Sequence, residues 1–190
     1  MSFSVTTAAT KKPLSLDEVK AHLNLTTDFT DDDELLDSMI DSTIDYIENY
    51  LRRSLLTQTI TAKYDFFPHC FELERPPLQS ITSIQYIDTA GDTQTYSSAN
   101  YTVDTTSEPA RVVEAYGTSW PTTRNIINAV TVTYVAGYTS AGNVPTQIKQ
   151  AMKILIGDWY KERESFIVGV MVSKLPHTAR MLLQPYRVSI

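Results

Sequence analysis

The 190 residues contain a single cysteine, Cys70, so the chain closes no intramolecular disulfide and builds no four-cysteine zinc site. A reducing compartment suits that usage. Glycine is scarce as well. The 6 glycines, Gly91, Gly117, Gly137, Gly142, Gly157 and Gly169, form neither GxGxxG nor GxxxxGKS/T, which argues against a loop that cradles phosphates. Long apolar runs are missing. The longest uncharged apolar stretch, FIVGVMV at 166–172, is too short to span a bilayer, and the leading MSFSVTTAATKKP lacks the apolar centre of a signal peptide. The expectation is a chain that neither crosses a membrane nor carries a classical export signal. Basic charge is also in deficit: 16 Lys and Arg face 22 Asp and Glu, for a net charge of −6. A dedicated nucleic-acid binder needs the opposite balance.

What remains is an ordinary globular composition, 42% hydrophobic and 20% charged. A chain of this length buries about 70% of the surface exposed when unfolded, enough for one core and a small subdomain. The charge is unevenly placed. Residues 1–53 carry 11 acids and 5 bases, residues 54–144 carry 8 and 4, and residues 145–190 carry 3 and 7. An acidic front and a basic back fit either a chance partition over solvated faces or a charge-complementary assembly contact.

Ser15 and Glu18 form a capping box that opens a short helix over 16–23, with Leu16, Val19 and Leu23 on one face. Thr30 is the expected cap of a longer helix, since Asp31, Asp32, Asp33 and Glu34 suit the positive end of its dipole. Its buried stripe reads Leu36, Ile40, Ile44, Ile47 and Leu51, and Arg52 and Arg53 close the last turn. From residue 55 to 138 the period changes from 3.6 to 2. TITAKYDFF, SITSIQYID, TQTYS, NYTVD, ARVVEAY and AVTVTYVAGY are the predicted strands, with DTAGD at 88–92 as a hairpin signal. Pro145 starts a third helix, reaching to about residue 165, in which Ile148, Ala151, Met152, Leu155, Ile156, Trp159 and Tyr160 define an apolar face.

The fold class predicted is α+β: a small helical core of three main helices, an inserted antiparallel β subdomain and an extended C-terminal tail. By residues, this means a flexible N-terminus at 1–13, a helical core at 14–53 and 144–165, a β-rich insertion at 54–143 and a docking tail at 166–190.

Chemistry is hard to find. His22, His69 and His177 lie in three separate segments, and His69 and Cys70 as strand neighbours point to opposite faces. The run Asp31, Asp32, Asp33 lacks the spacing of a calcium loop, and no GxSxG turn is present. No catalytic, metal or cofactor site is predicted. The β segment is rich in aromatics: Tyr86, Tyr96, Tyr101, Tyr116, Trp120, Tyr134 and Tyr138. They are either strand residues of a small core or an exposed platform for sugars.

Five segments in order carry a resemblance: LSLDEVKAHLNL (14–25), ERPPLQSITSIQYIDTAGD (74–92), VTVTYVAGY (130–138), VPTQIKQAMKILIGDWYKERES (144–165) and LPHTARMLLQPYR (175–187). Together they resemble the tailed-phage head-tail connector family, also called head-completion or adaptor proteins. Residues 1–13 and 93–129 take no part in the resemblance. The resemblance implies a non-enzymatic virion protein of the neck, present in the host cytoplasm during assembly and needing no cofactor. It would form a ring under the portal protein, usually twelvefold, and offer its lower surface to a tail or stopper protein. Genomic DNA would pass through the lumen without specific binding, and no membrane is involved. A β-rich carbohydrate-binding module using exposed Tyr and Trp is the alternative.

Three surfaces are then expected to act. Glu34, Asp37, Asp41, Asp45 and Glu48 recur at spacings of 3 and 4 as an acidic stripe on the second helix. Like charges so spaced cost about 0.2 to 0.5 kcal/mol per pair, a penalty that basic residues such as Lys149 and Lys153 of an adjacent subunit would relieve. A solvated or lumen-facing stripe is the other reading. Trp120, between Ser119 and Pro121, is expected to be exposed and to touch a partner or glycan. The tail is expected to anchor on the portal through Arg180, Leu182, Leu183, Tyr186 and Arg187, as a segment removable without unfolding the rest. Its last residues, 188–190, are expected to add a strand to a sheet edge.

Overall fold

The computed structural model describes residues 2–162 and 175–188. They fall into two compact units, one built from residues 2–9 and 57–138, the other from residues 10–56, 139–162 and 175–188. The class is mixed helix and sheet, with four helices among the described residues and two antiparallel sheets.

In the first unit, β1 (Ser2–Thr7), β2 (Gln58–Tyr64), β4 (Leu78–Ile87), β5 (Thr93–Tyr96) and β8 (Val130–Ala136) form a sheet in the order β1-β2-β8-β4-β5. The second sheet, in the order β3-β7-β6, contains β3 (Phe71–Leu73), β6 (Tyr101–Asp104) and β7 (Ala110–Glu114). All pairings are antiparallel. Strand β8 lies at the centre because it alternates strictly. Val130, Val132, Tyr134 and Ala136 are buried while Thr131, Thr133 and Val135 are half-buried. Its inner row joins Ile60, Ala62, Phe71, Leu73, Ile84, Ala110 and Val112 in one core. The β4–β5 hairpin turns as its sequence predicts. Asp88 Oδ1 accepts the backbone N–H groups of Ala90, Gly91 and Asp92, each at 3.0 Å, and Gly91 takes a φ of +104° that side chains rarely adopt.

Two strands depart from expectation. Residues 2–7, expected within a flexible N-terminus, pair with β2 from Ser2↔Lys63 to Thr7↔Thr59. Phe3 supplies the reason: it packs against the core, with the Arg75 guanidinium 5.5 Å over its ring. The short β3 lies just past His69 and Cys70, and its inward residues Phe71 and Leu73 are fully buried.

In the second unit, α1 (Leu16–His22) carries the predicted capping box. Ser15 Oγ accepts from Glu18 N–H at 3.1 Å, and Glu18 Oε2 accepts from Ser15 N–H at 3.0 Å. Helix α2 (Asp33–Leu51) has Asp32 rather than Thr30 at its cap position, without a side-chain cap hydrogen bond; Thr30 belongs to the turn before it, its carbonyl accepting from Asp33 N–H. Leu36, Met39, Ile40, Thr43, Ile47 and Leu51 are its buried residues, joined by Glu48, while Ile44 is half-buried. Arg52 ends it in the left-handed region at φ 55°, and Arg53 turns inward to 4% exposure instead of facing solvent at the helix end. Helix α3 (Thr146–Lys161) follows Pro145 and buries Ile148, Ala151, Met152, Leu155, Ile156 and Trp159. It stops at Lys161, short of residue 165.

The C-terminal segment is not extended where it is described. It forms α4 (His177–Leu183) and a 3-10 turn over Gln184–Tyr186. Leu175, Ala179 and Leu183, four residues apart, make one buried face, and α4 packs on α3. Val188 is buried too, and its N–H donates to the Leu51 carbonyl at 3.0 Å. The apolar run at 166–172 and the end at 189–190 lie outside the described residues.

Candidate functional site

The helical unit carries the charged residues that the sequence singles out. On α2, Asp37, Asp41 and Asp45 are exposed, and Glu48 is not. A spacing argument cannot see that Glu48 lies at the edge of the apolar stripe. Its side chain turns inward, and Oε1 accepts the buried Leu55 N–H at 2.7 Å, closing the connection after α2. Asp37 and Asp41 share one lysine of their own chain. Lys12 Nζ lies 2.9 Å from Asp37 Oδ1 and 2.7 Å from Asp41 Oδ1. Burial lowers the pKa of the Lys12 ammonium, but hydrogen bonds and charge from the two carboxylates more than offset this and leave it raised. With all three groups partly exposed, such a bridge is worth only about 0 to 1 kcal/mol.

Lys149, expected to meet an acid of another subunit, is held by its own chain. Its Nζ lies 3.0 Å from Glu18 Oε1. Burial raises the Glu18 carboxyl, while the Ser15 N–H and the Lys149 ammonium together bring it below its ordinary value. Lys153 adds a smaller pull in the same direction. Lys20 is the most deeply buried of the paired lysines, 2.6 Å from Asp33 Oδ1. Beside it, the Tyr160 hydroxyl donates to Asp32 Oδ2 at 2.6 Å, tying α3 to the start of α2.

The tail residues divide by the geometry of α4. Leu183 is fully buried, Leu182 and Tyr186 are half-buried, and Arg180 and Arg187 are exposed. The Tyr186 hydroxyl bonds Gln147, and its carbonyl accepts from Arg53 Nε at 3.2 Å. Leu183 is therefore core of its own unit rather than a free anchor residue: α4 supplies an apolar face that α3 covers. Its outer face presents Arg180, with Arg187 just beyond the 3-10 turn. Both line a cleft with Tyr50 and Gln184.

In the β unit, Trp120 is only half-buried yet is not a free loop residue. Its ring stacks on Phe67, with centroids 4.9 Å apart and planes at 11°, and meets Phe71 edge-on at 5.4 Å. Glu114 Oε1 accepts its backbone N–H at 2.7 Å. The expected exposure fails because the loop folds back over Phe67, a residue that strand periodicity placed in β2. Tyr64, Tyr86, Tyr96 and Tyr101 belong to the same cluster. Burial pushes the Tyr64 and Tyr134 hydroxyls well above the ordinary phenol range. Among the described residues of this unit, the exposed aromatics are Tyr116 and Phe66. Of the Tyr and Trp side chains offered as a sugar platform, only Tyr116 is exposed.

Among the described residues, no group of three or more His, Cys, Asp or Glu side chains is placed to hold a metal ion. No described helix is long and apolar enough to cross a membrane.

Comparison with known proteins completes the picture. The family model described as head completion protein matches residues 13–189. The fold is similar to a chain from the neck of an empty gene transfer agent (GTA) particle with C6 symmetry, with TM-score 0.80 and 21% identity, covering 100% of this chain and 97% of that one. It is also similar, at TM-score 0.79 and 20% identity with the same coverage, to a chain from the virion of a native gene transfer agent particle. A third similar chain, from the neck of a native GTA particle with C12 symmetry, has TM-score 0.75 and 19% identity. No curated protein matches the chain.

Proposed function

The chain belongs to the head completion protein family, and from that membership we propose that it is a non-enzymatic structural protein of a phage-type neck, a ring under the portal joining the DNA-filled head to the tail or a stopper protein. The observation that carries this reading is the extent of the match. The family model runs from residue 13 to residue 189, through both the helical and the β unit. The similar chains come from particles described with C6 and C12 symmetry, which supports a cyclic arrangement with the portal's own symmetry, twelvefold in the virion. Assembly takes place in the host cytoplasm.

Heterologous contacts suit a ring, because a head-to-tail interface closes when its rotation does. The helical unit has two unlike charged patches for such a contact: the exposed acids of α2 and the cleft that carries Arg180 and Arg187. The outward residues of α4 also remain the part of the C-terminal segment able to meet a portal. The net charge of −6 suits a conduit, since an acidic lining repels DNA where a basic one would retain it by counterion release. The packed aromatic cluster gives no support to glycan binding.

Genetic removal tests the reading. Particles made without this protein should reach DNA-filled heads with portals but fail to join tails, and complementation in trans should restore joining. Normal tailed particles in its absence would refute the proposal.

A further inference from the structure

The cleft lined by Tyr50, Arg180, Gln184 and Arg187 has a volume of about 470 Å³ and lies where the C-terminal end of α2 meets α4 and the 3-10 turn. One wall is pre-set, because the Arg187 guanidinium lies 5.3 Å over the centroid of the Tyr50 ring, an arrangement that fixes its planar donor fork. Arg180 supplies a second fork and Gln184 an amide. Among the described residues no carboxylate lines the cleft. Among the described residues neither guanidinium has an ion-pair partner. Two like charges facing one cleft repel each other until an anion lies between them, and guanidinium forks match a carboxylate in two-pronged geometry.

The acidic stripe of α2 offers the carboxylate. Lys12 occupies Asp37 and Asp41, and Glu18 occupies Lys149, the lysine first expected to answer the acidic stripe. Of that stripe, Glu34 and Asp45 remain exposed with no ion-pair partner among the described residues; Glu34 lies in the first turn, where the helix dipole already favours an acid, and Asp45 has no such support. At 100° per residue it stands about 140° around α2 from Tyr50, so Asp45 and the cleft face different ways. The acid of one copy and the cleft of another are thus two unlike, complementary patches, as a heterologous contact requires. We propose that the cleft is a carboxylate site occupied by Asp45 of the adjacent copy, so that each subunit gives an acid to one neighbour and takes one from the other. This deepens the ring reading of the preceding subsection and rests on it.

Charge exchange on the portal-bound ring tests the contact, read by electron microscopy and by the number of copies per portal. Asp45→Arg alone and Arg180→Asp alone should each cut ring occupancy at least tenfold. The two combined in one chain should restore it to within about twofold of the unaltered protein, a recovery that only a direct pairing yields. Thermal melting of each variant guards against misfolding; should either fail to fold, the pair Asp45→Asn and Arg180→Gln is read for the same loss of occupancy. Single variants that assemble normally, or a double variant that stays defective, overturn the proposal while leaving the ring intact as a reading. Normal rings of Arg180→Asp that have lost affinity for a DNA duplex also overturn it, since the cleft would then serve phosphate. If the unaltered protein forms no ring on the portal, the ring reading falls and this contact with it.

Discussion

Leu183→Ala separates a C-terminal segment that is core from one that is a removable anchor. Leu183 has no exposed surface, and it shares the buried face of α4 with Leu175 and Ala179 against α3. Truncating such a leucine costs about 2 to 5 kcal/mol, the spread reflecting how far the site collapses. A whole domain holds only about 5 to 15 kcal/mol, so this side chain accounts for a large share of the unit's stability. Met181, two residues away on the same helix, is 62% exposed, and Met181→Ala should stay within about 0.5 kcal/mol of the unaltered protein. The chain carries its own reporters: of its 2 tryptophans, Trp159 lies in the helical unit and Trp120 in the β unit. Urea unfolding followed by fluorescence in a Trp120→Phe background reads the helical unit alone. With a slope of about 1 to 3 kcal/mol per molar urea, Leu183→Ala should lower the midpoint by about 1 M or more. Deleting residues 176–190 removes Ala179, Leu183 and Val188 and the bonds from Val188 N–H to Leu51 and from Arg53 to Tyr186. That truncation should leave no folded helical unit. A Leu183→Ala midpoint indistinguishable from that of Met181→Ala, or a truncated chain that unfolds as the full one does, would refute the reasoning.

Two further outcomes follow from the polar contacts. Glu48→Ala leaves the Leu55 N–H without its carboxylate in a buried connection and should destabilise the protein by about 1 to 3 kcal/mol, whereas Asp45→Ala should change stability by less than about 0.5 kcal/mol; equal effects in urea titrations would show Glu48 to be a surface residue. In the β unit, hydrogen bonds from Thr106, Arg111 and Ser107 hold the Asp104 carboxyl well below the usual carboxylate range. A carboxyl depressed by folding stabilises fully above its unfolded pKa of about 4, and that contribution is lost as pH falls towards the folded value. Melting temperature should therefore decline below pH 4, and Asp104→Asn should make the decline shallower; an unchanged slope would exclude Asp104 as its source.

Most of the fold was legible because its signals are local. The capping box of α1, the 3.6-residue stripes of α2 and α3 and the alternation of β8 all act over a few residues, and of the eight strands among the described residues four lie within the runs expected to form them and two more, β2 and β4, overlap theirs. The misses share a cause, which is that distant partners decide them. S-F-S-V-T-T alternates well enough to be a strand, but six polar-rich residues become β1 only because β2 offers an edge and the core has room for Phe3. The segment Phe71–Leu73 is too short for periodicity to register. Glu48 fits an acidic stripe by spacing and a buried connection by position, and only the location of Leu55 distinguishes them. Arg180 and Arg187 stand out in the sequence as basic residues near the end. That they share a cleft with Tyr50 depends on α4 returning to the end of α2, a contact that no local pattern encodes.

The central claim is one of place, and a direct image of the neck tests it. Cryo-electron microscopy of particles purified with the portal in position, from a strain encoding this chain, should show its two units repeated around the axis directly beneath the portal, with DNA in the open centre and α4 near the subunit boundary. A neck whose density beneath the portal is fully accounted for by other proteins, with this chain absent from the particle, would contradict it.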